Sequence, residues 1–124
     1  MVANDIRVGI REQLKALDAF DRSYFGKDRL RQIKAKIDEI VAVLDTNPVE
    51  FVQNKKEKAD LLYLRGKALD YFPEYSKSAE EFLSKAIKLL PSKHEAWDAL
   101  GHTYWKKRDL GAARKCFEGS LEQN

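Results

Sequence analysis

The sequence is poor in residues that break or stiffen helices. Six glycines and three prolines occur in 124 residues, and Val, Ile and Thr are few beside Leu, Ala, Lys and Glu. Gly and Pro together thus reach about half their ordinary usage. Little is left for strands or turn-dense β folds, so the composition predicts an all-α protein. One cysteine excludes an internal disulfide and suits a reducing compartment. No apolar run is longer than Ile40 to Leu44, too short for a signal-peptide core or a membrane span. Charge of one sign is also lacking, since 23 Lys and Arg against 20 Asp and Glu leave a net charge of +3. So small a surplus excludes a strong, nonspecific nucleic-acid field. There is no Walker loop, Rossmann glycine pattern, HExxH or nucleophile elbow, and no residue set supports an enzyme. What is present suffices to fold: Leu, Ile, Val and Phe make up about 26% of the chain, above the roughly 20% below which chains stay disordered. The length bounds one domain, and the chain reads as soluble, intracellular and helical.

Apolar spacing predicts six helices. Ile6, Ile10, Leu14, Leu17, Phe20 and Tyr24 recur every three or four residues, with Arg7, Arg11, Glu12 and Lys15 on the wet side and Gly26 as the stop. Leu30, Ile33, Ile37, Ile40 or Val41, and Leu44 form a second stripe, which so short a turn makes antiparallel to the first. Asn47-Pro48-Val49-Glu50 reads as an N-cap, a first-turn proline and a glutamate starting helix three, which runs through Leu61, Leu62 and Leu69 to Pro73. Helix four carries Ala79, Leu83, Ala86, Ile87 and Leu90 and stops at Pro91. Ser92 with Glu95 predicts a capping box for helix five, whose stripe is Trp97, Leu100, Gly101 and Tyr104, with Lys106, Lys107 and Arg108 opposing the dipole at its end. Asp109 caps helix six, with Ala112, Ala113, Phe117 and Leu121.

The second half repeats itself with a period of about 34 residues. Gly66 pairs with Gly101, Ala79 with Ala113, Leu83 with Phe117 and Ala86 with Ser120. The later copy reads Trp97-x-x-Leu100-Gly101-x-x-Tyr104, then Ala113 and Phe117, and Pro91 closes the earlier one. This resembles the tetratricopeptide repeat residue for residue. The earlier copy has Leu62 and Arg65 at the Trp and Leu positions but keeps Gly66, Ala79, Ala86 and Pro91. Small residues at Gly66, Gly101, Ala79 and Ala113 let helices approach closely while Trp97, Tyr104 and Phe117 fill the gaps. The expected architecture is an all-α, right-handed helical-hairpin array: an N-terminal hairpin over 1–47, then two repeats within 48–124, at about 59–93 and 94–124. Because the length stops short of a second closing proline, the expectation is an array continuing in a longer parent, with a C-terminal face free to self-associate.

A closer resemblance lies in the solvent-facing and turn residues. Gly-Lys-Ala-Leu-Asp-Tyr-Phe-Pro-Glu-Tyr at 66–75, Ala-Glu-Glu-Phe-Leu-Ser-Lys-Ala-Ile-Lys-Leu at 79–89, Glu-Ala-Trp-Asp-Ala-Leu-Gly at 95–101 and Tyr-Trp-Lys-Lys-Arg-Asp-Leu at 104–110 look like the N-terminal part of the Strap family, tetratricopeptide repeat protein five. Asp21-Arg22-Ser23-Tyr24-Phe25 resembles it too, so the likeness reaches from about 17 to 124. The resemblance implies a scaffold, cytoplasmic and nuclear. One implied role is a ribosome-associated factor recognising nascent tubulin in tubulin messenger autoregulation. The other is a stress-responsive nuclear transcription cofactor binding an acetyltransferase complex. On this likeness Lys88 matches a ribosome-facing lysine.

Counting from the repeat, the concave wall is Asp60, Tyr63, Lys67 and Asp70 from one copy and Asp98, His102, Trp105 and Lys106 from the other. This is the candidate groove for proteins or peptides, with Tyr63 and Trp105 gripping a chain and Lys67 or Lys106 taking a carboxylate. Asp98 and His102 stand where chaperone-binding repeats carry Lys and Asn, which argues against a cochaperone. His94 and His102 are about 12 Å apart along a helix, too far to share an ion, so neither a metal nor another cofactor is expected. His102 reads as a surface partner of Asp98, and Cys116 as an inert packed thiol. Lys55, Lys56 and Lys58, like Lys106 to Arg108, read as solvated or dipole-matched clusters, with phosphate contact on ribosomal RNA as the alternative. No membrane or specific DNA partner is expected.

Overall fold

The computed structural model describes residues 2–23, 26, 28–46, 48, 52–72 and 74–123. Six helices follow one another: α1 (Val2–Ser23), α2 (Arg29–Asp45), α3 (Lys55–Leu69), α4 (Lys77–Leu89), α5 (His94–Lys107) and α6 (Leu110–Gln123). There is no strand among the described residues, and no helix there is long and apolar enough to cross a membrane.

Helices α1 and α2 form an antiparallel hairpin. Asp21 pairs with Arg29 beside the turn, Lys36 lies 4.9 Å from the Phe20 ring, and at the far end Ile10 and Leu14 share a core with Ile40 and Leu44. The α1 stripe is inward as expected from Ile6 to Phe20, while Tyr24 lies outside the described residues. Leu30 departs from its expected place, being 62% exposed; the buried α2 stripe begins at Ile33. Gly26 lies beyond the end of α1 and adopts no positive φ. Its carbonyl instead accepts from the Arg29 N–H at 3.2 Å.

Helix three starts later than the proline signal suggested. Asn47, Val49 and Glu50 lie outside the described residues, Pro48 and residues 52–54 are non-helical, and the N-cap is Asn54, whose side chain accepts from the Glu57 N–H at 3.0 Å. Asn54 with Glu57 satisfies an orphan first-turn amide and places an acid at the positive end of the helix. Helix α3 is the hub, packing against α1, α2, α4 and α5. That is why Leu61, Leu62, Tyr63 and Leu64 are all buried in succession, a pattern that suits a helix surrounded on every side.

The helices then pair as α3 with α4 and α5 with α6. A Cβ on Gly66 would lie 2.6 Å from Leu83 Cγ, and one on Gly101 would lie 2.7 Å from Phe117 Cε1. The two glycines thus do the same work one period apart, letting a large side chain rest on bare backbone. Gly119 adds a contact that the repeat signature does not contain, since its Cβ would meet Trp97 Cε3 at 2.7 Å. Trp97 also donates its Nε1–H to the Pro91 carbonyl at 2.8 Å, tying α5 to the turn before it. Pro73, the expected end of helix three, lies outside the described residues.

Caps at the later helices are mixed. Ser76 accepts from the Ala79 N–H at 3.2 Å at the start of α4, and Asp109 from the Ala112 N–H at 3.1 Å at the start of α6. Ser92 does not cap α5; the N-cap is Lys93, which makes no side-chain cap bond. In α6 the buried residues are Ala113, Cys116 and Ser120, with Phe117 half-buried and Leu121 75% exposed. Among the described residues α6 packs only on α5, so its outer flank meets no further helix.

Candidate functional site

The eight expected groove residues divide into three groups. Tyr63, Lys67, Asp98 and His102 do come together, with Glu95 and Ala99, around an open cleft of about 340 Å³ between α3 and α5. Tyr63 is its floor rather than its grip: the residue is only 5% exposed, and cations surround its ring, with Lys93 Nζ at 4.9 Å, Lys67 Nζ at 5.8 Å and Arg11 Cζ at 5.9 Å from the centroid. Such contacts hold the ring and orient the cations. Asp98 and Lys67 are exposed, and neither has an ion-pair partner among the described residues. The expected Asp98 to His102 pair is not formed; the His102 ring instead meets Phe117 edge-on at 5.5 Å between centroids.

Asp60 belongs to the joint beneath the groove. It is 4% exposed and accepts from three cations on two segments: Arg7 at 3.2 Å and Arg11, both on α1, and Lys93 at 3.0 Å in the α4–α5 turn. Glu57 and Glu95 complete the set, Glu57 at 3.7 Å from Arg7 and Glu95 at 3.6 Å from Lys93. Three positive and three negative charges thus balance where α1, α3 and the α4–α5 turn meet. Arg7 and Arg11, which the amphipathic pattern assigned to water, are drawn inward by this carboxylate. No pattern local to α1 carries that signal.

Asp70 and Lys106 are likewise taken up internally. Lys106 Nζ donates to the Asp70 and Phe72 carbonyls, the latter at 2.7 Å, and lies 3.1 Å from Asp70 Oδ1. This lysine is a staple across the α3 C-terminus, so it is neither a groove cation nor a free charge at the α5 dipole. Burial raises the Asp70 carboxyl above its usual range, and the Lys106 ammonium opposes that rise. Lys107 also has a partner, 3.4 Å from Glu80, and Arg108 is the left-handed C-cap of α5 at φ 71°.

Trp105 faces elsewhere. It is 61% exposed and lines an apolar cleft of about 240 Å³ with Leu110, Ala113, Arg114, Phe117, Glu118 and Leu121. This is the outer flank of the last helical pair, where Trp105, Leu110 and Leu121 meet solvent.

The α1 helix adds a wall that the repeat count could not supply. Arg11, Leu14, Lys15 and Asp18 close a second cleft of about 190 Å³ with Tyr63, Leu64 and Lys67. The concave surface therefore runs from the hairpin across α3 to α5. Lys88 lies exposed near the end of α4. On the same helix Phe82 sits between Arg65, 5.2 Å from its ring centroid, and Lys85, at 5.6 Å. Cys116 is buried, and desolvation pushes its thiol up, with Glu80 adding to the shift. No group of three His, Cys, Asp or Glu among the described residues is arranged to hold a metal.

Paired helices, close glycine contacts and a groove formed by the first helix of each pair define an all-α helical-repeat protein. The Tetratricopeptide repeat family model matches residues 94–124. Over 72 residues the chain is 54% identical to human Tetratricopeptide repeat protein 5, 53% to the bovine protein of that name and 49% to the mouse one. Each alignment covers 58% of this chain and 16% of the relative. The chain therefore spans about a sixth of the length of these relatives, and the alignments are shorter than the stretch from 17 to 124 over which the likeness was read. Repeat and relatives together support a protein-interaction scaffold and point to a non-catalytic one.

Proposed function

We propose that the chain binds extended peptide segments on its concave face, between the hairpin, α3 and α5. The observation that supports this is the cleft over Tyr63, where Lys67 and Asp98 stand exposed with no ion-pair partner among the described residues. Charged side chains left unmatched around a concave aromatic floor are suited to polar and ionic contacts with a ligand chain. The test is a peptide array probed with the wild type and with Asp98→Trp, an exposed position where a large side chain fills the cleft without entering the core. Peptides retained by the wild type and lost by the variant carry the reading. Equal retention by both, or no retained peptide, would overturn it.

At finer grain, we propose from the family resemblance a ribosome-associated role in recognising nascent tubulin. The exposed Lys88 and Lys85, both on α4, offer cations for phosphate contact away from the groove. Lys88→Glu should abolish co-sedimentation with ribosomes, and unchanged sedimentation would remove this role. The alternative is a nuclear stress-response adaptor that contacts an acetyltransferase complex through the exposed Trp105. Trp105→Ala would then weaken capture of the complex while leaving ribosome binding intact. The first role places the protein in the cytoplasm and the second in the nucleus.

A further inference from the structure

Charge is distributed unevenly along the concave face. The two clefts share Tyr63 and Lys67. On the hairpin side the lining charges are Arg11, Lys15 and Lys67 with Asp18; on the α5 side they are Glu95 and Asp98 with His102 and the shared Lys67. Existing partners offset one charge on each side, Arg11 through Asp60 and Glu95 through Lys93 at 3.6 Å, and leave Lys15 and Lys67 facing the hairpin cleft and Asp98 facing the other. Asp18 is exposed and keeps one negative charge at the rim of the hairpin cleft. Lys15 has only a 3.9 Å contact to Glu12 on its own helix and is 78% exposed. Lys67 touches the Tyr63 ring and, among the described residues, no carboxylate. Arg11 is held in place by Asp60 and has a distant 4.0 Å contact to Glu95. A guanidinium has five N–H donors, so these contacts leave others available on a group that is already oriented.

We propose that the cleft between α1 and α3 is a carboxylate subsite, in which Arg11, Lys15 and Lys67 receive acidic side chains of a bound peptide. This rests on the concave-face reading above and adds the ligand's chemistry and direction. Acidic residues lie against the hairpin, while neutral or basic residues continue past Glu95 and Asp98. The hairpin is then part of the binding surface as well as a packing element. A nucleic acid fits less well, for two reasons. The Tyr63 ring is buried and offers no face on which a base could stack, and a uniformly anionic backbone would meet Glu95 and Asp98 on leaving the basic cleft. A peptide can change sign along its length.

The test uses fluorescein-labelled octapeptides with three glutamates followed by apolar and lysine residues, and a control with glutamine in place of the glutamates. The acidic peptide should bind the wild type about tenfold more tightly than the control, the effect of one well-made charged contact. Raising the salt from about 0.05 to about 0.5 M should erase most of the difference. Lys67→Gln and Lys15→Gln, both at exposed positions, should each reduce the difference. Lys67→Glu should shift the preference toward a peptide with lysine in place of the glutamates, which a merely structural role for Lys67 would not produce. Equal affinity for acidic and glutamine peptides, while array peptides still distinguish the wild type from Asp98→Trp, would overturn the subsite and leave the groove standing. Displacement of the acidic peptide by poly-uridine at comparable concentration would also overturn it, by making the cleft a phosphate site.

Discussion

Lys93, in the turn before α5, places its Nζ 3.0 Å from Asp60 Oδ1 on α3, the carboxylate that also holds Arg7 and Arg11 of α1. One buried acid therefore joins the hairpin, the first helical pair and the second. A carboxylate in such a place is stabilised only while its partners remain, and removing it leaves three cations, Arg7, Arg11 and Lys93, to be balanced by Glu57 and Glu95 alone.

Asp60→Ala is expected to destabilise the fold by about 3 kcal/mol, the low end of the cost of breaking a buried ion pair, because Arg11 remains partly solvated. Urea denaturation measures the loss. Hydrogen exchange should show α1 losing protection ahead of α5 and α6, and uniform loss across all helices would contradict the assignment of Asp60 as the joint.

The glycines should respond in opposite directions. At Gly101 an added methyl meets Phe117 at 2.7 Å, so Gly101→Ala should cost about 1 to 3 kcal/mol through overpacking, outweighing its gain in helix propensity. At Gly9 nothing lies within 4 Å, so Gly9→Ala should stabilise by about 0.5 to 1 kcal/mol. Thermal unfolding of the two variants reads both signs.

Lys106 and Asp70 predict a distinct pH response. Burial raises the folded-state pKa of Asp70 above its unfolded value near 3.8, so the folded protein binds this proton more readily than the unfolded chain does. The resulting stability is present below the unfolded pKa and is lost as pH rises through the folded one. Asp70→Asn should therefore remove a component that falls with rising pH across the carboxylate range, measured as the difference between the two proteins' stability curves. Lys106→Met should be the more damaging change at neutral pH, by about 3 kcal/mol, since it strands a buried carboxylate and two carbonyls.

The exposed flank of α6 should be sticky. Trp105, Leu110 and Leu121 are each more than half exposed around one apolar cleft, so sedimentation velocity should show concentration-dependent association that Leu121→Asp reduces. Identical, purely monomeric profiles for both proteins would contradict this.

Much of the helical order was legible because it depends on local spacing. Ile10, Leu14 and Leu17, then Ile33, Ile37, Ile40 and Leu44, are buried where a 3.6-residue period puts them. Gly66 and Gly101 meet Leu83 and Phe117 as the 34-residue repeat implied. The α3 start misled because Pro48 is a permissive signal, tolerated in a first turn and equally at home outside a helix. Asn54 with Glu57 was the capping pair that marked the true start. Lys106 and Trp105 misled because a repeat count gives the angular position of a side chain on its helix and says nothing of what stands opposite.

The sequence by itself determined the all-α class, the helical pairing and the small-against-large contacts within each pair, since these follow from periodicity and side-chain volume along neighbouring segments. Only the tertiary structure decided which charges are free. Arg7, Arg11 and Lys106 read as exposed cations until the hairpin and the second pair are packed on α3, and then they, with Lys93, are held by Asp60, Asp70 and the end of α3. Lys67 and Asp98 stay without an ion-pair partner among the described residues on the concave face. The physical reason is that an ion pair depends on distance in space between segments up to 53 residues apart, which no local pattern encodes.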